Sequence, residues 1–100
     1  MTILANNPST GLGALSAVPA GSTNGTVLGT QPAGSVGARF YLPAGASVTF
    51  TVATTAPASA PANTFTVSQS GTGPNWDEAL SGGAAIYITA TTGAPMFRWF

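Results

Sequence analysis

Polar and apolar residues alternate through the second half of the chain. From Ala46 to Thr54 the run ASVTFTVAT sets Val48, Phe50 and Val52 on one face, with Thr49 and Thr51 on the other. A period of two defines a half-buried strand. Thr64 to Ser68 repeats the pattern with Phe65 and Val67 inward. Ala84 to Thr91 repeats it with Ile86 and Ile88 inward, Tyr87 and Thr89 outward. Arg39 to Leu42 and Pro95 to Phe100 are shorter segments rich in the aromatic residues that favour strands. Glycine and proline separate all five, at Pro43-Ala44-Gly45, Pro57 to Pro61, Gly71 to Pro74, Gly82-Gly83 and Gly93. This spacing predicts an all-β fold, a small antiparallel β-sandwich or barrel of jelly-roll type. The expected core is Phe40, Leu42, Val48, Phe50, Val52, Phe65, Val67, Ile86, Ile88, Phe97 and Trp99. One helical turn is expected over 75–80. There Asn75 can cap, Glu78 follows three residues later, and both acids favour the first turn.

Residues 1–37 break the pattern. They carry no charge and no aromatic ring, and glycine or proline recurs every few positions. Gly13 and Pro19 argue against a helix around Leu12 to Val18. The division expected is an extended N-terminal arm with short strands and turns over 1–37 and a compact β module over 38–100. A Pro-Ala-Gly core recurs at 19–21, 32–34 and 43–45, and it predicts type I turns with proline second and glycine fourth. Ordering a chain costs roughly 1.5 kcal/mol per residue, and the few aliphatics of the arm cannot offset that against so small a domain. The arm is therefore expected to lie on another chain. Its contacts would be Ile3, Leu4, Leu12, Leu15, Val18, Val27 and Leu28.

Charge and composition narrow the chemistry. The 100 residues include two arginines, two acids and no Lys, His or Cys, for a net charge of zero. General-base, thiol and Schiff-base chemistry lack their residues, and so does a tetrahedral zinc site. Two arginines cannot neutralise a run of phosphates, so no nucleic-acid partner is expected. No apolar run is long enough to span a membrane. The start MTILANNPS has neither the basic residues nor the apolar stretch of a signal peptide, which predicts synthesis in the cytoplasm.

The remaining motifs are weak. Asp77 and Glu78 are adjacent, so they cannot face each other across a glycosidic bond. With Asn75 they offer oxygens without the spacing of a calcium loop. Gly11-Leu12-Gly13 and Gly71-Thr72-Gly73 lack the third glycine of a dinucleotide loop, and there is no Walker lysine. Asn24-Gly25-Thr26 matches a glycosylation sequon but reads better as a tight turn. The Thr-x-Thr pairs at 49/51, 64/66 and 89/91 resemble ice-binding arrays, although threonine simply suits the outward face of a strand. No catalytic, cofactor-binding or metal-binding residue is assigned.

The aromatics carry more information. Trp76 and Tyr87 are candidates for a sugar-stacking platform. The segment Met96-Phe97-Arg98-Trp99-Phe100 puts large apolar groups on both faces of one strand, which points to cover on both sides. Arg98 among those rings suits cation–π stacking. Arg98 and Phe100 join the arm as candidate partner contacts.

A small chain with the uncharged arm 1–37 and a module running from ARFYLPAGASVTFTV to IYITATTGAPMFRWF resembles the capsid decoration (cement) proteins of tailed bacteriophages. The resemblance is one of whole-chain style, without a diagnostic motif. It implies a dimer or trimer on the capsid surface of the virion, bridging neighbouring copies of the major capsid protein, with no catalytic residue and no cofactor. The alternative is a carbohydrate-binding or receptor-recognition module of a phage tail or spike, built on Trp76 and Tyr87.

Overall fold

The computed structural model describes residues 14–100. Ile3, Leu4 and Leu12 lie outside them. The described chain forms β1 (Ser16–Ala17), β2 (Thr26–Val27), β3 (Gly37–Tyr41), β4 (Ser47–Ala53) and β5 (Phe65–Ser68). A single helical turn, α1 (Gln69–Thr72), leads to β6 (Asn75–Ala79), β7 (Ala85–Thr92) and β8 (Met96–Trp99). Two antiparallel sheets result, ordered β1-β8-β3-β6 and β2-β7-β4-β5. Pairing is nested: β1 meets β8, β2 meets β7, β3 meets β6 and β4 meets β5. The β3–β8 and β4–β7 pairs then complete the sheets. The described residues form a jelly-roll sandwich of eight strands.

The alternation seen in the sequence supplies the core. Val48 and Phe50 of β4, Val67 of β5 and Ile86 and Ile88 of β7 face Phe40 of β3 and Phe97 of β8, and all are buried. The Phe40 and Phe50 rings stack between the sheets with centroids 5.5 Å apart. Burying each such side chain contributes about 1.5–3 kcal/mol. Two expected core residues sit at the margin instead. Val52 is 39 % and Phe65 is 45 % exposed. Val52 lies near the outer end of β4. Phe65 lies on an edge strand, packing edge-on against Phe50 and tilted against Trp76 of β6. Trp99 is half-buried against the core.

The first half of the chain departs most from expectation. Residues 14–37 do carry short strands, but these pair within this chain and not on another. They furnish β1 to one sheet and β2 to the other, and the expected boundary at residue 37 falls on the first residue of β3. Val18 and Leu28, expected on a partner, are buried in this chain's own core. Backbone pairing offsets part of the ordering cost. The Val18 amide donates to the Pro95 carbonyl at 3.1 Å, and that of Leu28 to Ile86 at 2.9 Å. A few aliphatics suffice when they fill gaps in an existing core.

Three local expectations also change. The segment 75–79 is a strand, because its cross-strand partners outweigh its capping signals: Trp76 lies opposite Phe40 and Asp77 opposite Arg39. The helical turn forms earlier, where the Ser68 hydroxyl accepts from the Gly71 amide at 3.0 Å. The turns at 32–35 and 43–46 are shifted by one residue. Ser35 and Ala46 donate to the Pro32 and Pro43 carbonyls, with Gly34 and Gly45 third at φ of 85° and 80°, as type II turns require. Gly21 is no turn residue. It presses on the Thr89 backbone, where no Cβ fits.

Candidate protein interface

The two outer faces of the sandwich differ in chemistry. On the second sheet the outward residues of β4 and β5 are mostly hydroxylic, with Tyr87 and the alanines 53, 85 and 90 in the same rows. Ser47 pairs with Thr92 at 2.6 Å, Thr49 with Thr66 at 2.8 Å, and the Thr51 hydroxyl donates to the Asn63 carbonyl. A bulge interrupts the row, since Thr49 faces Ala90 while Phe50 faces Ile88. Thr89 is thus the extra residue, and Thr91 lies opposite buried Val48. The Thr89/Thr91 pair therefore does not extend a flat outward array.

The first sheet is different. Register places Asp77, Arg39 and Arg98 in one row across β6, β3 and β8. The next outward row holds Asn75, Tyr41, Met96 and Ala17. Phe100 follows Trp99 and pairs its backbone with Gly37. Continuing the β1–β8 register by one residue brings Leu15, 49 % exposed, beside Arg98. Leu15, Arg98 and Phe100, three of the residues expected to touch a partner, therefore share this face. Val27, also expected there, is exposed on the other sheet beside Tyr87.

Arg39 organises the row. Its Nε and Nη2 donate to the two Asp77 carboxylate oxygens at 2.6 and 2.9 Å, a bidentate geometry specific to arginine. Its guanidinium also lies 5.4 Å from the centre of the Phe100 ring, within cation–π range. The hydrogen bond from Arg39 holds the Asp77 carboxyl below its ordinary value, against a small opposing effect of burial. The same bond raises Arg39 further into its charged range. Both side chains are over 40 % exposed, so the pair contributes at most about 1 kcal/mol. Arg98 was the expected cation–π donor; Arg39 fills that place because register sets it beside Phe100. The sequence offered a hint in the matched Arg-Phe-Tyr and Phe-Arg-Trp segments, but only register brings them side by side.

The sugar-platform residues do not meet. Trp76 faces inward from β6, against Phe65, and its Nε1 donates to the Glu78 carboxylate at 3.0 Å. Tyr87 lies on the other sheet, opposite Thr51. No group of three potential metal-ligating side chains occurs among the described residues, and no helix among them is long and apolar enough to cross a membrane. Comparison with protein-family models, with curated proteins and with solved structures finds no match.

Proposed function

We propose that this chain is a structural virion protein that binds the outer capsid surface and bridges neighbouring copies of the major capsid protein. The observation that carries this reading is the asymmetry of the sandwich. One outer face holds paired hydroxyls, and the other gathers Tyr41, Met96, Phe100, Leu15 and two arginines. Aromatic residues, methionine and arginine are the types enriched in protein interfaces. The absence of His, Lys and Cys from the whole sequence fits a role in contact rather than turnover. A low charge makes docking tolerant of salt. Trp76 and Tyr87 lie on different sheets, which favours this reading over a carbohydrate-binding module built on that pair.

Co-sedimentation of the purified chain with shells built from the major capsid protein of the same virus tests the proposal. Saturable binding at a fixed ratio to shell subunits is the expected result. A chain left wholly in the supernatant would overturn it.

A further inference from the structure

Of the four charged side chains, only two pair with each other. Arg39 and Asp77 do so on the outer face of the first sheet. Arg98 has no carboxylate partner among the described residues, and Glu78 has no cation; its Oε1 accepts from the Trp76 indole. The fold keeps these two apart. Arg98 points outward from β8, in the row of Arg39 and Asp77. Glu78 lies in the adjacent row with Ala38 and Trp99, on the inward side of β6, and β3 runs between the two strands.

We infer that Arg98 of one copy pairs with Glu78 of a second copy, joining the outer face of one sandwich to the β6 edge of the next. Charge complementarity selects a second copy as the occupant. Among the described residues each copy offers one cation and one anion without a charged partner, so the contact repeats with both matched. A foreign acidic partner would leave Glu78 as it was. The two residues lie on opposite faces of the sheet, so one self-complementary patch cannot hold both. The contact is therefore head-to-tail, which closes into a ring or continues as a filament. An exposed ion pair adds little by itself. Leu15, Tyr41, Met96 and Phe100 around Arg98 supply apolar area, and the pair fixes orientation.

The inference rests on the reading of the chain as an assembly protein. Its test reads mass with no shell present, so failure here and failure of shell binding are separate results. Light scattering on the full chain across a dilution series is expected to show a multiple of the 9.8 kDa chain mass. Arg98→Glu opposes two carboxylates at each contact and should move the assembly midpoint to about ten-fold higher concentration or more. Glu78→Gln keeps an acceptor for Trp76 while removing the charge, and should weaken assembly by about five-fold. The exchanged pair R98E/E78R should recover the wild-type midpoint. Circular dichroism establishes that each variant is folded. A single-chain mass for the wild type at every concentration would overturn the inference. So would an unshifted midpoint for folded Arg98→Glu, or a folded exchange variant that fails to recover.

Discussion

Gly37 begins β3 directly beneath the β6 backbone. A Cβ there would run into the Glu78 carbonyl oxygen and lie 2.8 Å from the Ala79 Cα. Gly34, three residues earlier, meets nothing within 4 Å but sits at a φ of 85°. The pair separates two reasons for glycine. Gly37→Ala forces two hydrogen-bonded strands apart and should cost about 1–3 kcal/mol. Gly34→Ala incurs only left-handed backbone strain, about 1 kcal/mol. Urea midpoints of the two variants, measured at equal m-value, should fall in that order. Equal shifts would mean that β6 yields freely to an added methyl group.

At the scale of elements, the two shortest strands matter beyond their size. β1 and β2 have two residues each, yet the chain around them delivers Val18 and Leu28 to the core. Deletion of residues 2–30 should therefore abolish the cooperative thermal transition rather than trim a loose end, and circular dichroism on heating shows which. Short strands in this half were expected, but their partners within the same chain were illegible, because two residues display no period that sets a register. The longer strands were legible, since Val48/Phe50 and Ile86/Ile88 alternate cleanly with polar neighbours. The strand at 75–79 was misread for a different reason. Its local signals, a cap and two acids, are sound, but Phe40 and Arg39 across the sheet outweigh them. Of the interface, Arg98 and Phe100 could be picked out by their unusual density of large side chains. Tyr41, Met96 and the Arg39–Phe100 contact emerge only from register.

For the molecule as a whole, stability concentrates between the sheets and thins toward one side. Phe50 touches Phe40 across the core and Phe65 at the edge. Phe50→Ala should cost about 3–5 kcal/mol, whereas Phe65→Ala, at a position 45 % exposed, should cost well under half as much. Guanidinium unfolding monitored by tryptophan fluorescence checks this ratio, and similar losses would move the centre of the core toward β5 and β6. The outer faces add little to stability, since their hydroxyl and ion pairs are exposed; their contrast bears on association.

The nested pairing also dictates an order of events in time. Thr49 and Thr66 are 17 residues apart, Ser47 and Thr92 are 45 apart, and Ser16 waits for Phe97. Loop closure favours the innermost hairpin first and the outermost partners last, in the slow regime of non-local β proteins. β8 sits between β1 and β3, so the first sheet stays split until Met96–Trp99 has been made. A chain from which β8 is missing would expose the unpaired edges of β1 and β3 side by side, and that state is prone to aggregate.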